Sequence, residues 1–305
     1  MTQRLLVDTD CGVDDALAIL LALAWPDATI AAITTVSGNV DATRAARNVL
    51  TVLDHAGVQV PVHAGAMTTL AGWPVPPRLT HGRDGLGDLD LPEPRGSIAP
   101  GLGVATLREY LATPPGGWTL VALGPLTNVA LALRDPRARQ GIARLIVMGG
   151  TRLAEFNLRT DPDATAEALR AGVPLTLVGL ELSRDVARLL PAEIAAIDRA
   201  TTPRARLAAA LLRFLAVSGQ RRFGWADGAA SVPDAVAMAM ALDPRLALAT
   251  ECAHVETIVT GADRGALAVK RPTGIHPANA TIVRAIDARR FRGLLTGALQ
   301  RGTPV

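Results

Sequence analysis

The stretch Asp8-Thr9-Asp10-Cys11-Gly12-Val13-Asp14-Asp15 places four carboxylates in eight residues. It follows an apolar run at 5–7 and leads into a helical pattern over 14–24, so it reads as a strand-to-helix turn. Charges packed this closely repel one another unless a cation neutralises them. Carboxylate oxygens are hard ligands and suit Ca²⁺ or Mg²⁺ rather than a soft metal. Gly12 reads as the residue that turns the backbone sharply, so that carboxylates on both sides converge. Acidic capping of a surface helix would account for one or two of these aspartates, not for four beside an apolar strand. Cys11 reads as a small buried residue, because a thiol is a poor ligand for a hard cation.

Outward from this turn, apolar runs alternate with helical patterns nearly to the end of the chain. Strands are predicted at 30–36, 120–123, 145–148, 175–178, 254–259 and 280–284. Helices are predicted at 41–55, with Asp41 as N-cap and Gly57 as stop, and at 125–134 and 163–171. Further helices are predicted over 191–217 with a break at Pro203, over 233–242, and from Asp287 onward. The segment 65–100 is rich in Gly and Pro, has no period, and reads as a lid or binding loop. This rhythm predicts an α/β fold: an open, mainly parallel, Rossmann-like sheet with helices on both faces and a site at the strand C-terminal ends. No linker or repeat divides the chain, so a single domain over 1–305 is expected.

Composition narrows the functional classes. With 305 residues, 49% hydrophobic and 19% charged, the chain can bury a large core, which excludes general disorder. The net charge of +3 comes from dispersed arginines with no basic stripe, so no nucleic-acid partner is expected. Two cysteines, Cys11 and Cys252, make no disulfide framework, which fits a reducing, cytoplasmic setting. The apolar stretch 16–25 is about half a membrane span and is stopped by Pro26. The start of the chain is not patterned like a signal peptide, so no membrane partner is expected.

Other strand ends carry matching chemistry. Ser37-Gly38-Asn39 offers an amide, and Leu123-Gly124-Pro125-Leu126-Thr127-Asn128 presents a backbone carbonyl before a helix. Met148-Gly149-Gly150 permits close backbone approach. Glu155-Phe156-Asn157 sets a carboxylate and an amide two residues apart, and Asp234 starts a late apolar helix. These segments, with the aspartate turn, His81-Gly82-Arg83-Asp84-Gly85-Leu86-Gly87, Asp161-Pro162 and Asp234-Ala235-Val236-Ala237, stand in the order found in one family. The sequence resembles the inosine-uridine-preferring nucleoside hydrolases over most of its length.

The resemblance implies a Ca²⁺-dependent enzyme that cleaves the N-glycosidic bond of a ribonucleoside, its small-molecule partner, to ribose and free base. It implies that Asp10, Asp15 and Asp234 ligate Ca²⁺ through side chains and Leu123 through its carbonyl. Asp14 would take the proton of the attacking water. Asn39, Met148, Glu155 and Asn157 would hold the sugar, and Asp8 would support the turn. His81 is the candidate acid for the leaving base. Trp225 and Phe223 are candidates to stack on the base. Family likeness also implies a role in nucleoside salvage, and the apolar helices left for the surface fit a homodimer or homotetramer. Such chemistry suits an oxocarbenium-like transition state stabilised by preorganised carboxylates.

Two positions depart from the family pattern. Pro233 stands where a His commonly precedes the late Asp, and Thr151-Arg152-Leu153-Ala154 is all that separates the Gly-Gly and Glu-Phe-Asn motifs. Arg221 and Arg222 read as a solvated charge pair, while His55, His63, His254 and His276 show no ligand spacing and read as structural. Two other classes compete. A dehalogenase-like phosphatase also opens with a strand and Asp-x-Asp, but it needs an earlier lysine than Lys270, the chain's only one. A Ca²⁺-dependent ribose or nucleoside binder without turnover would fit Pro233 and the short loop, although Asp14 is retained.

Overall fold

The computed structural model describes residues 2–113, 116–150 and 155–301. The first half runs β1 (Gln3–Thr9), α1 (Val13–Leu23), β2 (Ala28–Thr35), α2 (Ala42–Ala56), β3 (Val62–Ala64), α3 (Gly103–Leu111), β4 (Trp118–Ala122), α4 (Thr127–Leu133), α5 (Pro136–Gly141) and β5 (Ile142–Met148). It continues with α6 (Phe156–Thr160), α7 (Pro162–Arg170), β6 (Leu175–Val178), α8 (Pro191–Asp198), α9 (Pro203–Phe223) and α10 (Pro233–Leu242). The chain closes with β7 (Ala247–Thr257), β8 (Leu267–Lys270), β9 (Ala280–Ile286) and α11 (Ala288–Gln300). A single π-helical turn, Leu182–Val186, follows β6.

The nine strands form one sheet in the order β3-β2-β1-β4-β5-β6-β9-β7-β8. Pairing is parallel from β3 through β9 and antiparallel between β9, β7 and β8. Successive side chains on a strand point to opposite faces, and the core divides accordingly. Leu5, Val7, Val121, Ile146 and Met148 pack with α1, α2, α9 and α10. Leu6, Leu120, Ala122, Leu145 and Val147 pack with α3, α4 and α7 on the other face. The central strands are therefore apolar on both sides, as a parallel sheet between two helical layers requires.

The chain winds outward from β1 to β2 and β3, then returns to β4 on the far side of β1. That reversal opens a crevice at the C-terminal ends of β1 and β4, the usual ligand site of such sheets. The sequence missed β3, α3, α5, α6 and β8. All but the nine-residue α3 have six residues or fewer, and β3 is a three-residue edge strand with no alternation to betray it. Asp41 caps α2 by accepting from the Arg44 N–H, and Gly57 ends it at φ +70°, as expected. The segment 65–100 is pinned at several points. Asn128 Oδ1 accepts from the Ala66 N–H, Asp161 Oδ2 from the Leu70 N–H, and Asn48 Nδ2 donates to the Asp84 carbonyl.

Candidate active site

The β1–α1 turn has the sharp bend anticipated from its sequence, but at a different residue. Cys11 takes φ +35°, whereas Gly12 has φ −80°. The left-handed bend at a non-glycine residue is costly, and it is held from both sides. The Cys11 N–H donates to Thr9 Oγ1, and its carbonyl accepts from Asn48 Nδ2. Gly12 is needed for close approach instead: a Cβ there would lie 2.6 Å from Asn39 Nδ2 and 2.9 Å from His81 Cγ. A Cβ on Gly38 would collide with the Asp10 carboxylate.

Asp14 and Asp15 stand in the first turn of α1, and Asp234 in the first turn of α10. Both helices are buried and nearly apolar, and they pack against each other. Their N-termini bring carboxylates 219 or more positions apart to within 4.8 Å for all three residues. Helix N-termini favour negative charge, but three buried carboxylates still repel. Burial pushes Asp14 and Asp15 up to about 6 from the ordinary 3.8, Asp14 adding to the rise at Asp15. Burial and then its acidic neighbours raise Asp10 and Asp234 well above the usual range. Asp14 Oδ1 is buried without a hydrogen-bond partner. An orphaned oxygen among converging hard donors fits a divalent cation.

The other aspartates of the turn are tied to the fold. Asp15 accepts from Thr9 Oγ1 at 2.5 Å and from the Gly12 N–H at 2.8 Å. Asp10 Oδ2 accepts from the Asn39 N–H at 2.7 Å. Asp8 lies fully buried, with Oδ1 accepting from Thr34 Oγ1 at 2.5 Å and from Asn128 Nδ2 at 2.8 Å. Its Oδ2 has no partner, and burial pushes the group up to about 7.

One cavity of about 250 Å³ gathers most of the residues singled out in the sequence. Asp14, Asn39, His81, Leu123 and Asp234 line it, as do Met148, Glu155, Asn157, Trp225 and Pro233. Asp10 and Asp15 are buried outside that lining. Asn157 Nδ2 donates to the Leu123 carbonyl at 2.6 Å and to the Met148 carbonyl at 3.3 Å, fixing the amide between two strand ends. Glu155 caps α6 by accepting from the Asn157 N–H at 3.0 Å, and burial raises it to about 7. Trp225 and Phe223 sit with ring centroids 4.9 Å apart, and Trp225 packs over Gly219. The short segment 151–154 lies outside the described residues.

His81 reaches the cavity from the glycine-rich loop. Its Nδ1 accepts from the Val13 N–H at 3.2 Å, which leaves the ring proton on Nε2. The 3.4 Å approach of the same Nδ1 to Asp14 Oδ1 is then a contact rather than a hydrogen bond. Burial, opposed by Asp15 and reinforced by Arg222 and Arg78, holds the ring down to about 4.

Two sequence readings need correction. Arg222 is not merely half of a solvated pair. The period of α9 sets Leu215, Ser218, Gly219 and Arg222 on one face, and all four line the cavity, whereas Arg221 does not. His254 and His276 are not isolated. Their rings lie 4.9 Å apart, and His254 Nε2 is 3.0 Å from Glu256 Oε1, a grouping hidden by the 22 positions between the two histidines.

The comparisons agree with this geometry. The chain matches the family described as inosine-uridine preferring nucleoside hydrolase over residues 5–293. It is 33% identical to a pyrimidine-specific ribonucleoside hydrolase RihA of Shewanella sp. (strain ANA-3), covering 100% of this chain and 98% of that protein. Over 60% of this chain and 63% of the relative, it is 36% identical to a non-specific ribonucleoside hydrolase RihC of Escherichia coli. Among solved structures, a plant nucleoside hydrolase superposes with a TM-score of 0.90 at 28% identity, covering 98% of this chain and 99% of the other. A purine-preferring ribonucleoside hydrolase from Gardnerella vaginalis gives 0.91 at 25% identity, with 98% of each chain covered. The chain belongs to the inosine-uridine preferring nucleoside hydrolase family and is a hydrolase of N-glycosyl bonds. Among the described residues, no helix is long and apolar enough to cross a membrane.

Proposed function

We propose that this chain is a Ca²⁺-dependent ribonucleoside hydrolase, acting as one domain over 1–305, that releases ribose and a free base. The observation that carries the reading is the convergence of the buried Asp14, Asp15 and Asp234 carboxylates within 4.8 Å beside the cavity. A hard divalent cation held by Asp10, Asp15, Asp234 and the Leu123 carbonyl would neutralise this charge and orient the sugar diol. Leu123 O has a second lone pair free to serve, since Asn157 Nδ2 occupies only one.

Asp14 is the base that accepts a proton from the attacking water, and its unpartnered Oδ1 is the atom available to do so. Asn39, Met148, Glu155 and Asn157 hold the sugar. The fixed amide of Asn157 and the helix-capping Glu155 are preorganised, so little rearrangement is needed as positive charge develops on the ring. Trp225, with Phe223, faces the base end. His81, which lines the same cavity with its proton on Nε2, would serve the leaving base as a neutral donor, and Pro233 donates no proton.

Calorimetric titration with Ca²⁺ and release of free ribose from a nucleoside panel test the reading together. One ion per chain and cation-dependent ribose release are expected. Asp14→Asn should lower kcat by about 10²–10⁴-fold while changing Ca²⁺ affinity far less. A variant with near-normal kcat would assign water activation to another group.

A further inference from the structure

Four arginines line the cavity that holds Asp14, Glu155 and Asp234: Arg78, Arg159, Arg184 and Arg222. They arrive from four separate places, the 65–100 loop, α6, the π-helical turn after β6, and the last turn of α9. Such independent origins argue against a by-product of one basic segment.

Some arginines elsewhere on this chain find carboxylates, while others, such as Arg95, Arg170 and Arg206, are exposed without one among the described residues. Arg134 pairs with Glu167 at 2.7 Å, Arg137 with Asp135 at 2.8 Å, Arg188 with Asp227 at 2.8 Å and Arg213 with Asp198 at 2.6 Å. Among the described residues, none of the four cavity arginines has a carboxylate within ion-pair distance of 4.0 Å. Aromatic faces hold three of them instead. The Arg78 guanidinium lies 4.2 Å from the Phe156 ring centroid, and those of Arg184 and Arg222 lie 4.4 and 5.7 Å from Phe223. Stacking on a ring orients a guanidinium yet leaves its in-plane N–H donors open. Arg78 and Arg184 are half-buried, and each also feels the positive charge of Arg222. Arg159 and Arg222 are exposed, and Glu155 offsets part of the repulsion at Arg78 and Arg184, but like charges gathered around one cavity with open donors still favour an anion between them.

A neutral nucleoside offers these donors no charge to pair with. We infer that the substrate of this site is an anionic ribonucleoside, carrying a phosphate or carboxylate group that the cavity arginines grip by charge-assisted hydrogen bonds. This deepens the hydrolase reading and rests on it. The reaction is unchanged: the bond from C1′ to the base nitrogen breaks and its electron pair leaves with the base. Water oxygen bonds to C1′, one of its protons goes to Asp14, and a proton neutralises the departing base nitrogen. The anionic group itself does not react. It sits either at the 5′ carbon of the sugar or on the base.

The test measures base release with Ca²⁺ from uridine, from uridine 5′-monophosphate, and from orotidine, whose base bears a carboxylate, with inosine and its 5′-monophosphate as a second pair. At least one anionic substrate should exceed its neutral parent in kcat/KM by about tenfold or more, the size of one charge-assisted hydrogen bond. The phosphate arm places the anion at the sugar's 5′ end, and the orotidine arm places it on the base. The advantage should shrink as salt rises, a readout that needs no variant, and should fall in Arg78→Gln and Arg222→Gln. Neutral nucleosides preferred over both anionic classes would overturn the inference and leave the hydrolase intact. Release of base from none of the substrates would overturn both.

Discussion

Replacing Asp8 by Asn isolates the cost of burying one carboxyl group in the sheet. Asp8 is fully buried on β1, away from the converging trio, and its rise to about 7 has burial as its main cause, opposed by Asn128 and Thr34. The native state thus holds this proton more tightly than the unfolded chain, whose value is near 3.8. The associated stability is complete below the unfolded value and is lost as pH rises through the folded one. At about 1.4 kcal/mol per pH unit over roughly three units, the whole loss is about 4 kcal/mol, of which about 2–3 kcal/mol falls between pH 5 and 8. Asn is neutral throughout, and its Oδ1 can still accept from Thr34 and Asn128. Urea unfolding of both proteins at pH 5 and pH 8, with excess Ca²⁺ to hold the aspartate trio in one state, gives the comparison. Wild type should lose about 2–3 kcal/mol relative to Asp8→Asn across that interval. Parallel curves, differing by the same amount at both pH values, would refute the reasoning.

Three further outcomes are expected. Asp10→Ala and Asp15→Ala should each weaken Ca²⁺ binding by calorimetry, and chelation should abolish ribose release; unchanged affinity in both variants would remove the ligand assignment. The rise in melting temperature on adding Ca²⁺ should grow from pH 5 to pH 8, because carboxylates raised to about 6 must lose protons before they can bind the ion; a pH-independent rise would contradict this. His81→Ala should depress hydrolysis of natural nucleosides by roughly 10²-fold if its Nε2–H serves the leaving base, while sparing p-nitrophenyl riboside. Equal losses on both substrates would make His81 a positioning residue for Asp14 and the loop.

Much of this arrangement was legible in the chain because it is local. The four aspartates at one turn, the cap at Asp41 and the strand-end motifs each occupy a few consecutive residues, and α10 begins at Pro233 as its pattern predicts. What escaped is either too short for periodicity, such as β3, or depends on packing between distant segments. Nothing near Gly12 announces that Asn39 and His81 will press against it, so in the sequence its lack of a side chain reads only as a turn signal. Arg222 looked like half of a solvated pair because its neighbour Arg221 is also charged; counting back three, four and seven positions along α9 to Gly219, Ser218 and Leu215 gives the cavity-facing register. The cluster of His254, Glu256 and His276 crosses a hairpin and a loop, and no spacing rule applies to it.

Two parts of the cavity are mechanically distinct. Its acidic end is fixed by the central strands and the buried tips of α1 and α10, where a changed residue disturbs the core itself. Another part of its wall is one face of the last turns of α9 and the short crossing to α10, where Phe223 is 45% exposed and Arg222 also reaches solvent. Substitutions on that wall alter what the cavity meets without moving a single carboxylate. On the proposed assignment, in which the acidic end cleaves the bond, part of what the cavity admits can change by editing about one helical turn of sequence while the aspartate turn is kept.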